Sequence, residues 1–164
     1  MKNFIRDITE KYGEDFYVFG EFWNSDEKAN NDYLENIDYR FDLVDVKLHH
    51  NLFDASKSRA DYDLRTIFDQ TLAKNHPESA VTFVDNHDTQ RGQALESTVE
   101  EWFKPAAYAL ILLREAGLPC LFYGDYYGIS GEFAQESFQE VLDKLLDIRL
   151  NLALGHPCIN LGRG

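Results

Sequence analysis

Val81-Thr82-Phe83-Val84-Asp85-Asn86-His87-Asp88-Thr89-Gln90 changes character halfway along. Its first four residues are β-branched or aromatic, the composition of a buried strand. Six polar residues follow without a break, three of them ionisable. A strand that ends this way delivers two carboxylates and an imidazole to one end of a sheet. Loops at the carboxyl ends of parallel strands are where α/β folds, and barrels in particular, keep their chemistry. The neighbouring segments decide whether this strand lies in such a sheet.

Upstream, Asp61 is placed to cap a helix over residues 62–75, where Leu64, Ile67, Phe68 and Leu72 recur at helical spacing. His76-Pro77 ends it. Residues 39–45 read as a strand that runs into a helix through Leu48, Leu52 and Phe53, and residues 24–39 as a polar loop with at most a short helix. Residues 16–19 form an earlier strand, with Gly20-Glu21-Phe22-Trp23 at its carboxyl end. Phe4, Ile5, Ile8 and Tyr12 mark a helix before it, and Gly13 stops that helix. Downstream, Thr98-x-x-Glu101 offers a capping box and Pro105 starts or kinks a helix. Residues 106–116 are strongly helical, and Gly117-Leu118-Pro119 is their stop. Residues 120–123 form a last strand ending in Gly124-Asp125. A helix over 134–152 follows, with Phe138, Val141, Leu142, Leu145 and Leu152 on one face. Strict alternation of helix and strand predicts a parallel sheet with helical crossovers.

The totals agree with a globular α/β chain. A length of 164 residues suggests one domain with room for a core. With 44% hydrophobic and 27% charged residues, the chain is neither disordered nor membranous by composition. A net charge of −13, from 16 Lys and Arg against 29 Asp and Glu, leaves little with which to build a nucleic-acid face. No run approaches the ~18 apolar residues of a membrane span. The first seven residues lack the apolar core of a signal peptide, which leans the reading towards the cytoplasm. Cys120 and Cys158 are too few for a disulfide scaffold or a cysteine metal site, and Cys120, in an apolar run, reads as a buried thiol.

Three strands end in acids: Gly20-Glu21, Asp85-Asn86-His87-Asp88 and Gly124-Asp125. In a parallel sheet these acids share one rim. Glu21 and Asp88 then make a candidate carboxylate pair, the minimum equipment for glycoside hydrolysis. Apolar neighbours such as Phe22 and Trp23 would favour the protonated form of Glu21 that a general acid needs. The plainer reading of Glu21 is a cap or an ion pair. His87 is a candidate base, metal ligand or donor to sugar hydroxyls, against a structural histidine. Trp23 is a candidate stacking platform for a sugar, against core packing. Asp85, His87 and Asp88, with His49 or His50, could also hold a metal, but no ligand spacing supports that. The acidic stretch from Asp26 to Asp38 reads as a solvated loop.

Val18-Phe19-Gly20-Glu21-Phe22-Trp23 resembles the fifth-strand motif of the α-amylase family of glycoside hydrolases, where the Glu is the general acid/base. Phe83-Val84-Asp85-Asn86-His87-Asp88-Thr89-Gln90 is similar to that family's seventh-strand motif, in which the His contacts substrate and the Asp stabilises the transition state. Leu95-Glu96-Ser97-Thr98, Trp102-Phe103-Lys104-Pro105, Arg114-Glu115-Ala116-Gly117 and Phe122-Tyr123-Gly124-Asp125 are likewise similar to bacterial liquefying and cytoplasmic α-amylases. The resemblance implies Glu21 and Asp88 as catalytic residues, and His87 and Trp23 as substrate contacts. It also implies an α-glucan such as starch, glycogen or a maltooligosaccharide as substrate, cut at internal α-1,4 bonds with retention.

The resemblance further implies a (β/α)8 TIM barrel, of which this chain covers strands five to eight. Residues 1–155 would be a half-barrel of about four parallel strands with flanking helices, and residues 156–164 an irregular tail. The family's nucleophilic Asp and its neighbouring Arg belong at the end of strand four, and Met1 to Asp15 carry no match to them. Alone, the chain is therefore expected to be inactive, its partner being a separate N-terminal half-barrel or a second copy. Calcium, implied for the intact family enzyme, has no expected site on this chain. Neither nucleic acid nor membrane is an expected partner. The rival from another class is a non-catalytic carbohydrate-binding or structural remnant. A metal-dependent hydrolase on Asp85, His87 and Asp88 stands third.

Overall fold

In the computed structural model, which describes residues 2–13 and 16–151, four strands line up in chain order: β1 (Phe19–Gly20), β2 (Asp42–Val44), β3 (Ala80–Phe83) and β4 (Leu118–Cys120). Each pairs in parallel with the next, Phe19 opposite Asp42, Leu43 opposite Ala80 and Val81 opposite Leu118. Parallel neighbours that follow one another in the chain need a crossover between them, and here helices supply it. The helices are α1 (Lys2–Tyr12), α2 (Glu27–Asn36), α3 (Val46–Ser58), α4 (Leu72–Asn75), α5 (Lys104–Leu112), α6 (Tyr123–Tyr127) and α7 (Gln139–Asn151). The result is the singly wound order of a partial (β/α) barrel.

The two faces of the sheet separate by the period of two that strands impose. Leu43, Ala80 and Val84 join the larger core against the helices, with Leu48 and Leu52 of α3, Tyr108 and Ile111 of α5, and Leu142 and Leu145 of α7. Val44, Val81 and Phe83 point the other way and form a small inner cluster with Val46, against which Trp23 packs. β3, flanked on both sides, is buried along its whole length. β1 and β4 are the edges, and Phe19 and Leu118 on them are each nearly half exposed.

Several local expectations need correction. Residues 27–36 are a helix of ten residues and not a solvated loop: the Asp26 carboxylate caps it by accepting from the Ala29 N–H at 2.8 Å, and Leu34 and Asn30 are buried under it. Residues 62–75 are not one helix. Asp63 and Thr71 each cap a short turn, and Gln70 between them takes a left-handed φ of 61° that no continuous helix permits. The capping box does not form, because the Thr98 hydroxyl donates to the Thr89 carbonyl at 2.8 Å and α5 starts later, with proline in its first turn. β4 begins two residues before the expected strand, after a turn at Gly117 with φ of 82°. Cys120 is exposed and not a buried thiol, since β4 has a neighbour on one side only. The expected tail over 156–164 and Leu152 lie outside the described residues.

Candidate active site

Because the strands are parallel, the residues that follow β1 and β3 emerge on the same rim. β2 lies between them. Two strand spacings set the two loops about 10 Å apart at their roots. Glu21 leaves β1 directly after Gly20, where a Cβ would meet the Phe41 ring at 2.7 Å, so close packing against Phe41 requires glycine there. Glu21 itself is exposed. The expected apolar hood over it is not built: the Phe22 ring stacks on Tyr33 at 4.4 Å, and Trp23 leans inward. The Trp23 ring sits 6.1 Å from Phe83 and 6.3 Å from His50, which bridges the β1 and β3 ends while leaving the indole partly exposed.

The loop after β3 is fixed by its own side chains. Asn86 Oδ1 accepts from the backbone N–H groups of Asp88 and Thr89, each at 2.9 Å, and this turn lifts His87 and Asp88 outward. The Asp88 carbonyl accepts from the Leu95 N–H at 3.1 Å and folds the loop back on itself. His87 Nε2 lies 3.6 Å from Asp88 Oδ2, and the two side chains are 68% and 39% exposed, open to a ligand. Glu21, Trp23, His87 and Asp88 thus share one rim.

The other acids do not. Asp85 and Asp125 are fully buried below it, and both face Lys104 of α5, which is also buried. Lys104 Nζ lies 2.9 Å from Asp85 Oδ2, donates to Gln135 Oε1 at 2.7 Å, and pairs with Asp125 Oδ1. Asp125 also accepts from the Tyr108 hydroxyl at 2.6 Å and from Gln135 Nε2 at 2.8 Å. Asp85 Oδ1 accepts from the Thr89 hydroxyl at 3.2 Å and the Val99 N–H at 3.3 Å. Burial pushes the Asp85 carboxyl up to about 7, with Lys104 opposing and Asp125 adding to the rise. Burial also pushes the Tyr108 hydroxyl well above its ordinary value, and the Asp125 charge adds to that.

His49 is a structural histidine. It is fully buried and stacks on Phe83 with ring centres 5.1 Å apart, and burial holds its pKa down at about 4. Near neutral pH the ring is therefore neutral. Its Nδ1–H donates to the Val84 carbonyl at 2.7 Å, and Nε2 lies 2.8 Å from Ser97 Oγ. Among the described residues no three His, Cys, Asp or Glu side chains gather in a way that could hold a metal ion. A groove of about 390 Å³ lies elsewhere, lined by Ala55, Arg59, Tyr62, Leu64, Trp102 and Phe103 among others, and none of the rim residues lines it.

Sequence reasoning missed the Lys104 network. The available signal was spacing: Lys104, Tyr108 and Ile111 fall on the buried stripe of α5. A lysine in that stripe has to be paired.

Parallel strands in winding order, with the acids of alternate strands on one rim, define a segment of a (β/α)-barrel enzyme fold. Residues 1–149 match the family of the alpha-amylase catalytic domain, and the chain belongs to that family. It is 46% identical over 154 residues to the glucan 1,4-alpha-maltohexaosidase of Bacillus sp. (strain 707), covering 94% of this chain and 30% of that protein. It is 41% identical to the alpha-amylase of Bacillus licheniformis, covering 94% of this chain and 31% of that one. The cytoplasmic alpha-amylase of Escherichia coli (strain K12) is 38% identical, over 99% of this chain and 36% of that protein. The crystal structure of an Anoxybacillus alpha-amylase superposes with a TM-score of 0.64 at 23% identity, over 92% of this chain and 36% of that one, a likeness of fold. The chain thus spans about a third of the length of the relatives it matches. No helix among the described residues is long and apolar enough to cross a membrane.

Proposed function

We propose that this chain supplies the acid/base half of an α-amylase active site, acting on internal α-1,4 bonds of starch, glycogen or maltooligosaccharides with retention. The observation that carries the reading is the rim shared by Glu21 and Asp88, within the two motifs that resemble the family's. Glu21 protonates the leaving glycosidic oxygen and then deprotonates the incoming water. Asp88, steadied by the Asn86 turn, opposes the positive charge that develops on the distorted sugar ring. His87 donates to sugar hydroxyls, and the exposed part of Trp23 offers an apolar face for a pyranose.

A retaining mechanism also needs a nucleophilic carboxylate. Glu21 and Asp88 each have another task, and Asp85 and Asp125 are committed to Lys104 below the rim. The nucleophile then comes from a complementary set of strands, and calcium, where the complete enzyme carries it, is held there as well.

The test is an assay of reducing-end release from soluble starch. The chain alone is expected to bind maltohexaose without hydrolysing starch. Mixed with the portion of the Bacillus sp. (strain 707) maltohexaosidase that precedes the matched region, it is expected to turn starch over, and Glu21→Gln is expected to abolish that turnover. Hydrolysis by the chain alone that Glu21→Gln abolishes would overturn the incompleteness. Turnover in the mixture that survives Glu21→Gln would overturn the role of Glu21.

A further inference from the structure

The buried Lys104 lies at the start of a hydrogen-bond relay that ends at Asp88. Its ammonium faces Asp85 Oδ2, and the opposite oxygen of that carboxylate holds both ends of the loop after β3. At the near end Asp85 Oδ1 accepts from the Thr89 hydroxyl, and at the far end from the Val99 N–H. The Thr89 oxygen accepts in turn from the Asn86 N–H at 2.9 Å, which sets the Asn86 side chain that takes the Asp88 and Thr89 N–H groups. The Thr89 carbonyl closes the turn by accepting from the Ser97 N–H at 3.0 Å and from the Thr98 hydroxyl. An ionised carboxylate is a much stronger acceptor than a protonated one, and burial favours protonation. The counterion that opposes protonation of Asp85 in this setting is Lys104, and Asp125 and Gln135 hold the lysine in place, with Tyr108 donating to Asp125.

We propose that Lys104 is a positioning residue for the Asp88 loop, acting through Asp85 and Thr89 to set the direction in which Asp88 points. The chemical importance of that direction rests on reading Asp88 as the carboxylate that stabilises the transition state. The relay itself does not depend on it. Replacing Lys104 by methionine removes the charge while keeping most of the volume. Asp85 then takes up a proton, its two acceptor bonds weaken, and residues 86–99 loosen.

Hydrogen–deuterium exchange of the purified chain, read segment by segment by mass spectrometry, tests this. In Lys104→Met, segment 86–90 is expected to exchange about tenfold faster or more, while the core around Asp45, whose N–H bonds the Val81 carbonyl, changes far less. A uniform acceleration across both segments would mean general destabilisation and would overturn the proposal, as would an unchanged loop. Thr89→Val disturbs no charge and breaks the same relay one step on, so it decides the matter if Lys104→Met does not fold. It is expected to release segment 86–90 by a similar factor, and protection equal to the wild type would overturn the relay. Neither outcome bears on glucan chemistry, which the starch assay tests separately.

Discussion

Glu21 and Asp88 follow strands of the same sheet but reach the rim differently. Asp88 is held by a side-chain turn, whereas Glu21 follows a glycine pressed against Phe41. In the completed enzyme, Asp88→Asn is expected to lower kcat by about 10²-fold or more with a smaller change in KM, since a group acting on developing charge is felt in the transition state. An equal loss confined to KM would place Asp88 in ground-state binding. That both acids lie on loops after strands was legible in the sequence, because Glu21 directly follows the apolar run before it and Asp88 lies in the polar stretch after Val84. The burial of His49 was not, because it depends on Phe83 and Ser97, distant in the chain. His49 also gives a pH prediction. Its folded pKa of about 4 lies below the ordinary 6.5, so the unfolded chain binds the extra proton between those values. The stability of neutral His49 is full above pH 6.5 and is lost as pH falls through 4. Comparing urea unfolding of the wild type and His49→Asn, the wild type is expected to lose roughly 2–3 kcal/mol relative to the variant between pH 7 and 4.5. A difference independent of pH would mean that His49 does not stay neutral in the fold.

At the level of elements, Asp45 joins two pieces of the helical layer. It is fully buried, caps α3 by accepting from the Leu48 N–H at 3.0 Å, and accepts from the Ala73 N–H of α4 at 2.8 Å. Asp45→Ala leaves two buried donors unsatisfied and is expected to cost about 2–4 kcal/mol in chemical unfolding. A cost below about 0.5 kcal/mol would show that water replaces the carboxylate. The strands were legible because their apolar runs are short and bounded, and α3, α5 and α7 because their buried residues recur at helical spacing. α2 was hidden, since only Leu34 and Asn30 of its ten residues are buried and its polar face dominates the reading. The segment 62–75 misled in the opposite way. Its apolar residues are spaced as in a helix, but Asp63 and Thr71 cap separate turns and Gln70 breaks the path. Lys104 was overlooked because a charge reads as surface until its partners, Asp85 and Asp125 on other segments, are brought to it.

For the molecule as a whole, the sheet has two edges, and β1 and β4 carry exposed Phe19 and Leu118 along them. Unpaired parallel edges beside exposed apolar side chains favour association. The isolated chain, of 19.0 kDa, is expected to elute as a larger species in size exclusion with light scattering, and to become a defined complex when complementary strands are supplied. A monodisperse monomer at micromolar concentration would show that the edges protect themselves. The barrel order of the strands was legible from the alternation of elements; the division of the acids into rim and buried groups was not, because it depends on where α5 places Lys104. The central claim is that this chain carries the acid/base and the transition-state carboxylate and that the nucleophile lies elsewhere. The most direct measurement is to treat the complemented enzyme with a fluorinated maltosyl fluoride that traps the glycosyl–enzyme intermediate, and to locate the label by peptide mass spectrometry. The label is expected on a carboxylate of the complementing half, with Glu21 and Asp88 unmodified. A glycosyl ester on Glu21 or Asp88 would contradict the account.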